Sequence, residues 1–310
     1  MNYSVTVHIV TYNSERYIAN CINSLEGQTY PIERIFVLDN ASKDDTKNVV
    51  NQFSKVLFFQ NENNRGFAPA HNDLIRMTNS DFVLVLNPDV ILDPNYISKI
   101  IDKMQSNPQL GSATGTLLLQ SNTSLVDSTG ITIEKSRRAF DRGAGDNAEK
   151  WKCSSEIFGV SGAAAVYRRT MIEDLSFEGD FFDSDFFAYK EDVDVSWRAN
   201  LLGWKAYYVN DAIGYHVRGW QQGKRSQQPL FIRKKSYINR YKMIFKNETF
   251  NGFAKDFFYI TFYEIISNTY ILIKEPKVLV AWFDFYRSIP ALLRKRKWIQ
   301  KRKRNLTQFL

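Results

Sequence analysis

The stretch Phe82-Val83-Leu84-Val85-Leu86-Asn87-Pro88-Asp89-Val90 decides the fold. Five apolar residues end abruptly in Asn-Pro-Asp, and another carboxylate, Asp93, follows a short distance on. A short apolar run bounded by polar residues reads as a strand buried on both faces. Asn87 and Asp89 then stand at its carboxyl end on a Pro-stiffened turn, where open α/β sheets bind ligands. Hard oxygens on a rigid turn suit Mg²⁺ or Mn²⁺ carrying a substrate diphosphate. The same residues also make an ordinary Asp-Pro turn, and the stretch alone does not choose between the two.

The chain of 310 residues has room for one large α/β domain and an appendage, and 44% hydrophobic residues give it an ample core. Cys21 and Cys153 are too few for a disulfide framework or a cysteine-built zinc site, which favours a reducing compartment. The first residues carry neither a basic nor an apolar signal-peptide region. The net charge of +8 is uneven: residues 233–310 hold 18 Lys/Arg against five Asp/Glu, leaving residues 1–232 at 23 against 28. An acidic body with a basic C-terminal piece argues against nucleic acid as partner and for a segment facing an anionic surface.

Upstream of the opening stretch, Val5–Val10 is β-branched and reads as the first strand, with Ser14 placed to cap a helix over Glu15–Gln28 whose Ile18, Cys21, Ile22 and Leu25 share a face. Arg34–Leu38, a helix near Asp44–Phe53 and Val56–Phe59 complete a βαβαβ opening, which calls for a parallel sheet with right-handed crossovers. A helix near Ala68–Met77 leads into the strand at 82–86. No G-x-G-x-x-G follows the first strand and no phosphate-cradling G-x-x-x-x-G-K-[ST] occurs. A ligand is therefore expected to be held by side chains at strand ends. Tyr12 offers a ring for stacking and Asp39 an acceptor for a pyrimidine imide N–H; as single residues they are equally plain strand-end and turn formers.

Downstream, the pattern predicts a helix over Tyr96–Met104, a strand over Ser112–Leu119 and a long polar loop to residue 150 that contains Arg137-Arg138. Small residues in Val160-Ser161-Gly162-Ala163 permit close approach of backbone or ligand. A helix opens at Glu191-Asp192-Val193-Asp194. Three acids in a first turn suit the helix dipole; a carboxylate there beside a diphosphate site also suits a general base. A strand over Trp204–Val209 precedes His216, a lone histidine that is either an ordinary core residue or a third metal ligand.

In this order the motifs resemble a family 2 inverting glycosyltransferase of GT-A fold, and in detail the bacterial dTDP-rhamnosyltransferase branch. The matching segments are Val10-Thr11-Tyr12-Asn13, Val37-Leu38-Asp39-Asn40-Ala41-Ser42, Asn64-Arg65-Gly66-Phe67 with Asn72, Leu86-Asn87-Pro88-Asp89, Val160-Ser161-Gly162-Ala163, Tyr189-Lys190-Glu191-Asp192-Val193-Asp194 and His216. They span about two thirds of the chain. The resemblance implies a Rossmann-like, mostly parallel central sheet with flanking helices over residues 1–230. It also implies that Val10, Tyr12 and Asp39 hold the nucleobase of a nucleotide-sugar donor, with Gly66, Asn72 and Asn87 near ribose and diphosphate. Asp89 and His216 would bind a divalent cation, Mn²⁺ or Mg²⁺; Asp192 would be the general base; and Gly162, Glu191 and Arg218 would face sugar or acceptor. One departure is that Asn87 replaces the first acid of the family's D-x-D motif, which removes a charge near the diphosphate and predicts modest metal affinity. Asn-Pro-Asp is the form associated with transfer of L-rhamnose from dTDP-L-rhamnose, with UDP-sugars the alternative donors.

Residues 231–310 lie outside the matching motifs. Their apolar runs, Phe257–Phe262, Ile265–Ile273 and Val278–Phe283, are interrupted by Glu264, Lys274 and Asp284, so none reaches the ~18–20 residues that span a bilayer. The basic end, Arg294–Arg304 with Trp298 embedded, predicts a helix lying on an anionic leaflet at roughly 1 kcal/mol per basic residue. The expected setting is the cytoplasmic face of the membrane, with a polyprenyl-diphosphate-linked or polysaccharide acceptor. A nucleotidyltransferase is the runner-up, but its glycine-rich basic loop is missing from Val10–Ser14.

Overall fold

The computed structural model describes residues 3–217 and 228–304. In chain order its strands are β1 (Val5–Thr11), β2 (Arg34–Asp39), β3 (Val56–Gln60), β4 (Phe82–Leu86), β5 (Val90–Leu92), β6 (Leu110–Leu119), β7 (Asn122–Ser128), β8 (Ile131–Ile133), β9 (Ala139–Asp141), β10 (Ser155–Ile157), β11 (Ala164–Arg168) and β12 (Lys205–His216). The helices are α1 (Ile18–Glu26), α2 (Thr46–Val50), α3 (Phe67–Arg76), α4 (Tyr96–Gln105), α5 (Arg169–Leu175), α6 (Glu191–Leu201), α7 (Leu230–Asn247), α8 (Phe250–Lys274) and α9 (Trp282–Arg302).

The main sheet runs β10-β12-β6-β11-β4-β1-β2-β3, with β5 paired to β12 and β7 to β6. β3, β2, β1 and β4 are mutually parallel, and β11 enters antiparallel between β4 and β6. As the opening stretch requires, β4 is buried on both faces. Phe82, Leu84 and Leu86 join α1 and α4 in one core, while Val83 and Val85 join α5 and α6 in the other. Ile18, Cys21, Ile22 and Leu25, the face expected of the first helix, are its four buried residues. Strand order reverses at β1, so a cleft opens where β1 and β4 end.

The structure departs from the sequence reading in four places. Ser14 does not cap α1: its carbonyl closes a turn with Tyr17 and Ile18, its N–H donates to Thr46 Oγ1 at 2.8 Å, and the helix starts at Ile18. The second helix is one short turn. The polar stretch 120–150 is not an open loop but holds β7, the small β8–β9 sheet and a 3₁₀ turn at Ala148–Trp151. Finally, β12 continues past Val209 to His216, across a register shift between Tyr208 and Ile213.

The C-terminal helices are fastened to the acidic body. Lys246 on α7 reaches Asp183 and, at 2.9 Å, Asp194. Lys295 on α9 bonds Asp183 and Asp185, both at 2.6 Å, Arg302 bonds Asp174, and Trp298 packs edge-on against Phe177. Part of the basic end expected on a leaflet is thus engaged within the chain. Arg137, from the turn between β8 and β9, enters a buried ion pair with Glu248 and another, at 2.8 Å, with Asp256 of α8.

Candidate active site

At the sheet's carboxyl edge, β1, β2 and β3 end in one register row of Thr11, Asp39 and Gln60. Asp39 is wholly buried. Its Oδ1 accepts from Thr11 Oγ1 at 2.8 Å and from the Ser42 hydroxyl, and its Oδ2 accepts from Ser42 N–H at 2.9 Å and from the exposed Gln60 amide at 3.1 Å. Those four donors fill the lone-pair sites of a carboxylate. Beside it Val10 is half-buried and Tyr12 is 48% exposed, a ring open to solvent at the cleft mouth.

Gly66 carries φ +85°, and a Cβ there would meet the Phe187 carbonyl oxygen at 2.2 Å. Only glycine lets the start of α3 approach the 181–190 segment this closely, and Phe67 N–H seals the junction on Phe187 O at 2.7 Å. Asn72 serves the same junction: its amide donates to Phe182 O and accepts from Phe182 N, at 2.8 and 2.9 Å. Gly66 and Asn72, two of the three residues that the resemblance placed near ribose and diphosphate, hold the segment that leads into α6.

Asn87 N–H donates to Ala163 O at 2.9 Å, and the adjacent Gly162 N–H donates to Asp192 Oδ2 at 3.2 Å. Two consecutive residues just before β11, Gly162 and Ala163, therefore bridge the Asn-Pro-Asp turn to the carboxylate at the α6 N-terminus. That helix starts from two consecutive left-handed residues, Tyr189 (φ 72°) and Lys190 (φ 75°). Such conformations persist in non-glycine residues only when neighbours impose them. Here Asn239 of α7 imposes them, donating to Ala188 O and Tyr189 O at 3.1 and 3.0 Å.

The three acids of the first turn separate by surroundings. Asp194 is fully buried and bonded to Arg198, Lys246 and Asn247 at 2.8–3.0 Å, which makes it structural. Asp192 is partly exposed; burial raises its pKa against the Gly162 N–H and Lys190, which favour the anion. Glu191 is buried and its Oε2 has no hydrogen-bond partner among the described residues. Its pKa is raised by burial first and by the Asp192 charge second.

On the other side of the turn, pairing of β12 with β5 sets His216 opposite Val90, and Val217 N–H closes on Asp89 O at 2.9 Å. His216 Nε2 then lies 3.3 Å from Asp89 Oδ1 and Nδ1 lies 2.8 Å from Asp127 Oδ2. Burial opposes the imidazolium, but the two carboxylates prevail and raise its pKa to about 9. A carboxylate on Nδ1 fixes the tautomer that points Nε2 outward, the usual support for a metal-binding histidine. One carboxylate oxygen and one imidazole nitrogen fit Mn²⁺ or Mg²⁺ when diphosphate oxygens and water complete the shell. Among the described residues no cluster of three metal-binding side chains occurs. Asp127, Gln60 and Asn239 had no signal in the sequence, since pairing across the sheet or the α6–α7 junction puts them here. Arg218 lies outside the described residues.

Three comparisons bear on this geometry. The family model described as "Glycosyl transferase family 2" matches residues 6–176. Poly-beta-1,6-N-acetyl-D-glucosamine synthase of Staphylococcus epidermidis is 24% identical over 208 residues, covering 66% of this chain and 48% of its own length. The protein of that name from Staphylococcus aureus strain COL is 23% identical over 207 residues, at 66% and 47%. The chain thus spans about half the length of these relatives. GalNAc-T7, solved with UDP, GalNAc and Mn²⁺, superposes with TM-score 0.63 at 14% identity over 78% of this chain and 48% of its own. A mannosyltransferase of Pyrobaculum calidifontis with GDP-Man and Mn²⁺ gives 0.58 at 17%, over 94% and 76%. S. aureus TarS 1–349 with UDP-GlcNAc gives 0.57 at 16%, over 91% and 79%. At such identities the structural likeness speaks for the fold, and the fold is GT-A-like. With the family model covering more than half of its length, this chain belongs to glycosyl transferase family 2 and is a glycosyltransferase.

Proposed function

We propose that the chain is an inverting transferase that moves L-rhamnose from dTDP-L-rhamnose onto a hydroxyl of a lipid-linked or cell-surface polysaccharide acceptor, working at the cytoplasmic face of the membrane. The observation that carries transfer is Asp192, held by Gly162 N–H a short backbone path from the Asn87–Asp89 turn. The nucleobase sits on Tyr12, and its imide N–H takes the place of the Gln60 amide on Asp39. Asp89 and His216, backed by Asp127, would hold a divalent cation that neutralises diphosphate charge when bound. Asp192 removes the proton of the acceptor hydroxyl, which attacks the anomeric carbon from the face opposite the departing diphosphate and inverts it. The carboxylate's raised pKa makes it a stronger base. Gly162, Glu191 and Arg218 are assigned to the sugar or acceptor side.

A second reading keeps this mechanism and takes a UDP-sugar. The names of the relatives, an N-acetylglucosamine polymer synthase and TarS with UDP-GlcNAc, favour it; Asn87 in place of an acid favours rhamnose. Slow release of dTDP or UDP from a panel of nucleotide sugars, with Mn²⁺ or Mg²⁺, decides between donors. Asp192→Asn should lower transfer about 10²–10⁴-fold and leave the donor Kd unchanged. Full turnover by that variant would remove Asp192 from the role.

A further inference from the structure

α8 is built the wrong way round for a helix in water. Its carboxylates face the protein: Asp256 pairs with Arg137, and Glu264 pairs with Arg240 and accepts from the Tyr241 hydroxyl at 2.6 Å. Ile260 and Ile271 also turn inward, but most of its other large apolar side chains face out. Phe258 is 81% and Phe262 68% exposed, and Ile265, Ile266, Leu272 and Ile273 continue the stripe at helical spacing. Phe283 and Tyr286, at the start of α9, are exposed as well. A monomer in water rarely shows so large a continuous apolar surface. No helix among the described residues is long and apolar enough to cross a membrane.

We propose that α8 lies in the plane of an anionic bilayer, with this stripe sunk among the headgroups; the proposal rests on the reading that the acceptor is membrane-bound. It replaces the basic end of α9 as the main contact, because Lys295, Arg296 and Arg302 are bonded within the chain. Charge selects the bilayer over a second copy. From residue 250 to 304 the only exposed carboxylate is Asp284, whereas Lys274, Lys277, Arg287, Arg294 and Lys297 are exposed cations. A self-complementary interface would set these cations against each other with almost no acid to answer them; an anionic leaflet answers all of them. The orientation is useful, because Arg137 and Asn239 tie α8 and α7 to the catalytic body. An α8 lying on the membrane therefore fixes the cleft relative to it.

The test is co-sedimentation of the full chain with phosphatidylethanolamine–phosphatidylglycerol vesicles, against the double variant Phe258→Ser/Phe262→Ser and the charge variant Arg294→Gln/Lys297→Gln. The aromatic variant should lose at least about tenfold in binding and the charge variant clearly less, with the melting temperature and slow donor hydrolysis unchanged in both. Equal binding by wild type and aromatic variant, a wild type that ignores the vesicles, or a larger loss in the charge variant would overturn the proposal. So would a wild-type dimer in light scattering that the aromatic variant turns into a monomer. Vesicle binding without hydrolysis of any nucleotide sugar would instead refute the donor reading and leave α8 on the membrane.

Discussion

Asp192 and Asp256 are both carboxylates drawn from bulk water at helix positions, yet their surroundings do opposite things to them. Around Asp256 the burial is compensated. Arg137 lies between it and Glu248, and the two carboxylates hold the guanidinium above its ordinary pKa against its own burial. Asp183 repeats the pattern, kept well below the usual carboxylate range by Lys246 and Lys295 although burial works the other way. Around Asp192 the burial is left open. It accepts only from backbone, Gly162 N–H at 3.2 Å and Val193 N–H at 2.7 Å, and beside it Glu191 keeps an oxygen with no partner among the described residues. Where ion pairs answer the acids, the chain is clamped together; where Lys190 acts only through its field and burial prevails, the carboxyls are held above their ordinary pKa.

Breaking the clamp should be the largest stability effect. Arg137→Met leaves Glu248 and Asp256 buried without their cation, and such a loss costs about 3–5 kcal/mol. Urea unfolding measures it. Adding Glu248→Gln and Asp256→Asn should recover most of the loss, since the burden is uncompensated charge and not missing volume. A loss under about 1 kcal/mol would show that the pairs contribute little.

The second prediction concerns Asp127, whose carboxylate orients His216 from the side away from Asp89. Asp127→Asn should weaken Mn²⁺ binding about 10–100-fold, as read by calorimetry with dTDP present, while unfolding free energy changes much less than in Arg137→Met. The pH dependence gives a second readout. His216 must lose its proton to bind a metal, so affinity rises with pH toward the imidazole's value of about 9. Removing one of the two carboxylates lowers that pKa, and the rise should move to lower pH. An unmoved profile would leave Asp127 a packing residue.

What could be read from the sequence follows the range of the interactions. β4 was legible because five apolar residues before Asn-Pro-Asp admit few structures, and the face of α1 because its period is local. Asp89, Asp192 and His216 could be proposed as a set only through the order of their motifs. Asp127 was not, because the β6–β7 hairpin and the shifted β12 register bring it to His216 from a distant part of the chain. The polarity of α8 was illegible for the same reason. A mixed apolar and acidic sequence does not say which side will meet Arg137 and Arg240. Arg137 itself read as loop charge until the β8–β9 turn placed it under α8.

The smallest effect, and the sharpest on the comparison, is expected at Glu191. Its carboxyl is raised in the folded chain to about 8, burial being the first cause and Asp192 the second. The unfolded chain ionises it at the ordinary value, so between the two the folded state holds the extra proton and stability falls as pH rises. Below that window the group is protonated in both states and Glu191→Gln should change little. The variant's gain should grow through the window and level off above about 8, reaching ~1 kcal/mol or a few degrees in Tm. Melting temperatures of both proteins from pH 4 to 9 measure it. A gain independent of pH would mean that the amide is merely a better fit. A loss at high pH would show that the Glu191 anion has a stabilising partner and that this end of α6 is compensated like the other.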